Sequence, residues 1–407
     1  MSHGSPSVAE IFLASLRLGC TSFGGPVAHL AYFREEFVVK RRWLDEAHYA
    51  DLVALCQFLP GPASSQTIFG LGYLQRGLAG GLAASLGFTL PSALLMIGFA
   101  YGVTMLADPG SAGWLQGLKA AAVAVVAQAV WAMSRALCPD WPRRALALGA
   151  AALVLWLPFA WSQLAVIAAG AMIGWLVMNR SPGGGTISPA GSGPRTPHPA
   201  GPVGPPPFSG MFCLILFFAL LLALPWLAHA TANPWLEIFD RFYRAGAMVF
   251  GGGHVILPLL EREVVAPGWL SHDQFLAGYG AAQAVPGPLF TLSAYLGAVM
   301  AHGPGGVLGG VWAVLAIFLP ALLLVAGVLP FWQRLRHQPG AQAALRGANA
   351  TVVGVLLAAF YDPVCKAGLT GGWSVALAVV GLVALLSGKI PTWALVAASA
   401  AFGAWLL

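Results

Sequence analysis

Glycine and proline interrupt four long apolar segments of this chain, and these breaks offer the most chemistry in the sequence. Proline in the first turn of a helix needs no amide hydrogen, so such a break can start a new helix. The free N–H groups and positive end of that helix can bind an anion without a buried lysine. The same residues also permit kinks and close helix packing with no ligand, and this alternative stays open. The candidate substrate-binding residues at the breaks are Phe23, Gly24, Gly25, Pro26, Pro60, Gly61, Pro62, Gly251, Gly252, Gly253, His254, Pro286, Gly287 and Pro288.

Two arginines, Arg17 and Arg244, stand shortly before the two Phe-Gly-Gly motifs, at the same distance in each case. An arginine in lipid is costly and usually lines a cavity or pairs with an acid. Its planar fork suits a divalent oxyanion, so both arginines are candidate substrate-binding residues. Snorkelling to the membrane interface explains them equally well. For a second matched basic pair, Lys119 and Arg346, snorkelling is the favoured interpretation.

Three titratable residues are candidates for carrying a coupling proton. Glu36 and Glu263 are acids at matching positions of two related stretches of sequence. A carboxylate near a site in the membrane can carry a proton. A salt bridge with Arg34 or Arg262 at the membrane edge is the favoured alternative. His254 follows three glycines and can titrate near neutral pH.

Neutral polar residues near the breaks could complete a binding site. Gln57 and Gln283 stand just before the two Pro-Gly-Pro motifs and can donate and accept hydrogen bonds. His29 follows the first break, where a packed, hydrogen-bonded histidine is the favoured interpretation. Hydroxyl groups in membrane helices more often bond their own backbone, so each is a weak candidate. These hydroxyl residues are Ser64, Ser65, Thr67, Thr291 and Ser293.

The composition indicates a polytopic membrane protein. The 407 residues are 58% hydrophobic and 8% charged, with a mean hydropathy of +0.78, whereas soluble domains average about 25% charged residues. The five cysteines are scattered and form no CxxC pair, so we expect no metal site and no cofactor. The net charge of +6 is dispersed, which does not indicate nucleic-acid binding. The sequence has no Walker A motif, so an ATP-driven pump is not indicated, and it has no GxSxG or HExxH motif, so an enzyme is not expected. A homodimer stays open.

The chain repeats itself. Phe23-Gly24-Gly25 recurs as Phe250-Gly251-Gly252, and Pro60-Gly61-Pro62 recurs as Pro286-Gly287-Pro288, with several single residues repeated in the same order. Internal repeats of this kind are typical of secondary transporters. We predict an N-terminal repeat, a flexible Pro/Gly-rich linker, an extra linking transmembrane helix and a C-terminal repeat. Their predicted ranges are 1–178, 179–210, 211–230 and 231–407.

Length and charge predict how the breaks lie in the membrane. A single helix over 8–40 would be about 50 Å long, too long for a core of about 30 Å. If each broken segment enters and leaves on one side, the basic clusters at Arg41 and Arg143 share a face, as the positive-inside rule requires. The predicted fold is an all-α polytopic membrane protein with two homologous inverted halves and re-entrant, broken helices at the Gly-Pro motifs. The N-terminus would be cytoplasmic and the C-terminus outside.

The motif-bearing stretches resemble the chromate transporter family in its long, two-domain form. The resemblance rests on FGGPVAH at 23–29, QFLPGP at 57–62, FGGGHVILP at 250–258 and QAVPGP at 283–288. It implies chromate efflux across the bacterial inner membrane, giving chromate resistance, driven by an ion gradient such as protons. Sulfate resembles chromate in shape and charge and is the alternative cargo. A non-transporting membrane scaffold or enzyme is the rival of a different class.

Overall fold

The computed structural model describes residues 6–105, 113–157, 162–178, 207–250, 256–335 and 338–406, and these are helical with short connections. Short π-helical turns extend α2, α7 and α15, and a 3-10 turn precedes α12 and another follows α13. The helices are α1 (Val8–Thr21), α2 (Gly25–Phe33), α3 (Glu46–Phe58), α4 (Ala63–Thr104), α5 (Gly113–Leu137), α6 (Trp141–Trp156), α7 (Ser162–Ile173), α8 (Pro207–Thr231), α9 (Pro234–Ala247), α10 (Ile256–Val264), α11 (His272–Ala284), α12 (Leu292–Val299), α13 (Gly306–Val328), α14 (Trp332–Leu335), α15 (Pro339–Ala359), α16 (Lys366–Gly368), α17 (Gly372–Leu386) and α18 (Thr392–Leu406).

Five of these helical stretches are long and apolar enough to cross a membrane, within the ranges given above. They coincide with α4, α5, α8, α13 and the stretch from α15 to α16. The helix α8 covers the predicted linking helix 211–230. The predicted linker 179–210 lies outside the described residues up to position 206, and the predicted domain ranges stay predictions.

The helix α4 is two arms rather than one rod. Its backbone leaves helical geometry at Arg76 and at Gly77, where φ is +58°. Gly72 then packs directly against the carbonyl of Gly80, so 63–75 and 78–104 fold back on each other. Gly297 and Gly309 make the matching contact between α12 and α13. The first arm therefore belongs to the broken segment before it, as the repeat predicts.

Both Pro-Gly-Pro segments are re-entrant hairpins. In the first half, Gly70 packs against Leu52, so α3 and 63–75 run side by side away from the break. In the second half, Gly278 packs against the ring of Tyr295, whose hydroxyl donates to the Gln274 carbonyl at 2.9 Å. The small and large partners have changed places between the halves. In both hairpins one large side chain fills the gap between the arms. It is Leu52 on the first arm of the first hairpin and Tyr295 on the second arm of the second hairpin.

Transplanting the first-half pair into the second half tests this packing. We expect Gly278→Leu alone to prevent folding or lower the unfolding temperature sharply, because the added side chain overlaps the Tyr295 ring. Tyr295→Gly alone leaves a cavity, at about 3–5 kcal/mol for a large aromatic side chain. The double variant should recover much of both losses in thermal unfolding of the purified protein. Simple addition of the two losses would contradict the exchange.

The two Phe-Gly-Gly segments are re-entrant as well. Gln75 Nε2 donates to the Trp43 carbonyl at 2.8 Å, and Arg76 Nε donates to the Pro6 carbonyl at 2.8 Å. The start of α1, the end of the α2 arm and the bend in α4 therefore share one face. In the second half, His302 contacts Glu237 at 2.7 Å and stacks on Trp269 with ring centroids 4.2 Å apart. These residues bring the matching three ends together.

The two halves are inverted, as predicted. The second arm of α4 ends where α13 begins, since Gly306 lies beside the Tyr101 hydroxyl. A β-carbon on Gly310 would come within 2.9 Å of Ile97 Cγ1. The bend at Gly77 and the turn before Gly306 therefore lie on opposite faces. The broken segments of the second half (α9–α18) therefore start at one face of the protein, and those of the first half (α1–α7) start at the opposite face.

The outer helices are exchanged between the halves. The helices α6 and α7 pack on α15, and α17 and α18 pack on α5. Glycines permit this close approach: Gly174 meets Gly347, and Gly117 meets the Ser399 carbonyl. The halves are therefore interlocked, although each is continuous in sequence.

Candidate functional site

The four breaks meet in two crossed pairs. The Gly61 amide donates to the Val249 carbonyl at 2.6 Å, and the Gly287 amide donates to the Ser22 carbonyl at 2.9 Å. These bonds match each other, because Ser22 and Val249 each directly precede a Phe-Gly-Gly motif and the two glycines are the central residues of the Pro-Gly-Pro motifs. Each junction is thus built from one Phe-Gly-Gly break and the Pro-Gly-Pro break of the other half.

Glycine is required at both amides. Gly61 has φ +126° and Gly287 has φ +99°, which favour a residue without a β-carbon. A β-carbon on Gly61 would also lie 3.1 Å from that of Ala321, and one on Gly287 would lie 2.9 Å from Ser92 Oγ. The crossing helices α13 and α4 therefore press on the junctions from opposite halves.

Where the structure describes the residue before it, a helical segment that starts at a break has no side-chain cap. The residues before α2, α4 and the 3-10 turn Leu289–Thr291 are Gly24, Pro62 and Pro288, and none caps an amide with its side chain. By contrast, α1, α3, α9 and α11 begin at the outer ends of the broken segments, each with a polar side chain bonded to a first-turn amide. Uncapped first-turn amides inside the protein leave donors for an anion.

Several buried polar atoms around the breaks also have no hydrogen-bond partner within the described residues. A few such groups near one location are typical of a site that binds a polar ligand or water. Ser22 and Gln66 were not singled out by sequence reasoning. Their only sequence signal is their position beside a break. The atoms are Ser22 Oγ, both ring nitrogens of His29, Ser65 Oγ, Gln66 Oε1 and Gln283 Nε2.

The two matched arginines lie in different environments. Arg17 is exposed on α1. Arg244 is mostly buried and forms ion pairs with Asp240 at 2.9 Å and Glu263 at 3.1 Å. Two carboxylates therefore compensate the Arg244 charge, whereas Arg17 lies on the outer surface of α1, which also exposes Leu13.

The matched acids are both in ion pairs, but not with the arginines expected from sequence. Glu36 pairs with Arg41 at 2.7 Å. Glu263 pairs with Arg244, and with Arg241 at 3.5 Å. Arg34, the expected partner of Glu36, instead forms an ion pair with Glu46 on α3, at 2.7 Å.

The snorkelling expected of Lys119 is wrong. Lys119 is 1% exposed, and its ammonium contacts Asp273 of α11 at 2.7 Å. Burial of an ammonium requires such a partner. Its counterpart Arg346 donates to the Met178 carbonyl, at 3.4 Å.

The remaining predicted residues are placed as follows. Phe23 packs near the Trp393 ring, at 5.8 Å between centroids. Gln57 lies in a groove of about 320 Å³ between α2 and α3. Four predicted residues lie outside the described ranges, namely Gly251, Gly252, Gly253 and His254. Within the described ranges, His, Cys, Asp and Glu residues form no group of three or more that could hold a metal.

A family model described as chromate transporter matches residues 9–175 and 236–404, which are most of both halves. The chain belongs to the chromate transporter family. A probable chromate transport protein of Synechococcus elongatus is 27% identical over 95% of this chain and 91% of its own length. A chromate transport protein of Pseudomonas aeruginosa is 29% identical over 88% of this chain and 81% of its own length.

One of the similar proteins is about as long as one half of this chain. An uncharacterized transporter of Bacillus subtilis, YwrA, is 30% identical over 40% of this chain and 92% of its own length. No solved structure matches the chain. The apolar helices and the transporter relatives together identify a multi-pass membrane protein.

Proposed function

We propose that this protein exports chromate, a divalent tetrahedral oxyanion, from the cytoplasm across the bacterial inner membrane and so confers chromate resistance. Transport is secondary and is coupled to an ion gradient such as protons. The observation that carries this proposal is the pair of crossed hydrogen bonds, which join the uncapped starts of α2 and α4 in the first half and of the turn Leu289–Thr291 in the second half to the breaks. Membership of a transporter family and the names of the relatives support it.

In this proposal the cargo is held mainly by backbone amides. The first-turn N–H groups after Gly24, Pro62 and Pro288 donate to the oxyanion, with the positive helix ends adding charge. Gln66 and His29 supply neutral polar contacts from the unpartnered set around the breaks. The exposed Arg17 is the charge partner of the anion. Arg244, held by two carboxylates, positions the second-half break rather than neutralising the cargo.

The proposed orientation places the N-terminus in the cytoplasm. The bend at Arg76 and the loop ends at Arg41 and Arg143 share one face of the inverted arrangement, as the positive-inside rule requires for the cytoplasmic side. Each junction joins the two halves, so a movement of the broken segments of one half against those of the other changes both junctions together. Alternating access of this kind is typical of inverted repeats.

Flux measurements in inverted vesicles test the proposal. We expect labelled chromate to enter vesicles that contain the protein when a pH gradient is imposed, and the Arg17→Ala variant to show a raised KM for chromate. Expression should also raise the chromate concentration at which a sensitive bacterium stops growing. Faster flux of labelled sulfate than of chromate would identify sulfate as the cargo. Vesicles that accumulate neither anion would refute the transport function.

A further inference from the structure

A second polar cavity lies where helices of both halves meet. It measures about 170 Å³ and is bounded by α10, the end of α15 and the α6–α7 hairpin. Its polar walls are Glu261 and Arg262 from α10, Asp362 from the turn after α15, and Gln163 from α7. The first half thus supplies one wall of a chamber otherwise built by the second half.

Glu261 is the carboxyl in this cavity whose ion-pair partner is a histidine. Its side chain is 14% exposed, and it contacts His272 Nδ1 of α11 at 3.3 Å. Glu36 and Glu263 are the acids that the sequence makes candidates for carrying a proton. Each instead forms an ion pair with an arginine, Glu36 at 2.7 Å and Glu263 at 3.1 Å. Glu261 therefore has a titratable partner where the other two have permanent cations.

Charged groups from several neighbouring elements surround Glu261. From α11 it faces His272, and from the turn after α15 it faces Asp362, which pairs with Lys366 of α16. Its own helix supplies Arg262, and α7 supplies the neutral Gln163. Burial and Asp362 across the same cavity both favour the neutral acid, while Arg262 favours the carboxylate. The opposing influences leave the carboxyl able to bind and release a proton.

Comparison of the two halves shows what is special about this pair. When the repeats are aligned on Phe23 and Phe250, Arg34 falls on Glu261, and when they are aligned on the Pro-Gly-Pro motifs, Glu46 falls on His272. In the first half these positions form the Arg34–Glu46 ion pair at 2.7 Å. The same structural link between the two broken segments therefore exists in both halves with its polarity reversed. Arginine and glutamate hold their charges at physiological pH, whereas glutamate with histidine responds to protons.

We propose that Glu261 is the proton-binding carboxyl of this transporter and that His272 is its switchable partner. This inference rests on the proposed ion-coupled function. With Glu261 ionised and His272 protonated, the pair holds α10 against α11. When Glu261 takes up a proton, the ion pair is lost and α11 is released, and α11 leads directly to the break at Pro286 and Gly287. In the proposed orientation the chamber opens on the outer face, where protons would enter as chromate leaves.

Proteoliposomes can separate coupling from cargo binding. For Glu261→Gln we expect exchange of labelled chromate for unlabelled chromate to stay within about twofold of the unmodified protein, since that reaction needs no net proton movement. Chromate-driven proton movement, followed with a trapped pH dye, should disappear, and net flux should lose its dependence on pH. The matched control is Glu46→Gln, which breaks the corresponding first-half pair and should retain proton coupling.

His272→Gln provides a second measurement if Glu261→Gln does not fold. Loss of the histidine charge makes Glu261 easier to protonate, so the midpoint of the pH profile of coupled transport should move to higher pH. Persistent proton coupling in Glu261→Gln, loss of exchange in a folded Glu261→Gln, or an unmoved midpoint in His272→Gln would each overturn the inference. An unmodified protein that carries no chromate would instead overturn the proposed function.

Discussion

Replacing Gly61 with alanine is expected to reduce chromate transport by at least about tenfold. The backbone at Gly61 has φ +126°, and an L-residue held there costs about 1–3 kcal/mol. The new β-carbon would lie 2.7 Å from Gln66 Nε2 and 3.1 Å from the β-carbon of Ala321. The junction can relieve this by moving the Gln66 amide, which donates to the Pro60 carbonyl at 2.7 Å, or by lengthening the bond from Gly61 to the Val249 carbonyl. Transport slows to this extent when the strain falls on one transport state more than on the other, because a difference of about 1.4 kcal/mol corresponds to tenfold in rate.

The matched control is Gly149→Ala in α6, where a β-carbon would meet nothing within 4 Å. Both variants add one methyl group to a glycine of the same chain, so only the surroundings differ. Labelled chromate flux per amount of purified protein is the measurement. Normal flux in Gly61→Ala would show that the crossed junction can open without consequence for transport.

Removing Asp273 is expected to destabilise the protein more than removing the lysine that it binds. Lys119 is 2% exposed at its side chain, whereas Asp273 is 44% exposed. Asp273→Asn leaves a buried ammonium without its counter-charge, which costs about 3–5 kcal/mol in comparable pairs. Lys119→Met leaves a carboxylate that water can reach, so its effect should be smaller. The double variant should recover most of the stability that Asp273→Asn loses.

Thermal unfolding of the three purified variants in detergent measures this cycle. The non-additive part of the double variant isolates the interaction between the two side chains. Equal losses in the single variants that simply add in the double variant would mean that the ion pair contributes little. The pair joins α5 of the first half to α11 of the second, so it also reports on how the halves are held together.

The two junctions are built from repeated sequence, but different side chains surround them in the folded protein. Ser22 and Val249 occupy the same position in the two junctions, yet one carries a buried hydroxyl and the other an apolar side chain. Gln66 borders the junction at Gly61, while Ser92 borders the junction at Gly287. A single symmetric site is therefore not required. A cargo can contact the two junctions through different polar groups.

The sequence by itself determined the class of protein, the duplication, the four breaks and the inverted, re-entrant plan of the halves. These features follow from local properties. Hydropathy and charge decide which segments enter lipid, and glycine and proline decide where a helix must stop. The structure confirms the plan through particular contacts, such as Gly72 against Gly80 and Gly306 beside Tyr101.

Only the tertiary structure decided which parts meet. The sequence indicated neither that Gly61 bonds Val249, nor that Lys119 bonds Asp273, nor that α6 and α7 pack on α15. The same uncertainty explains why Glu36 and Glu263 found arginines other than those expected. A periodic pattern fixes the face of a helix, but ion pairs depend on the rotation and depth of two helices far apart in the chain. In a duplicated chain every contact also has two nearly equivalent partners, one in each half, and only packing selects between them.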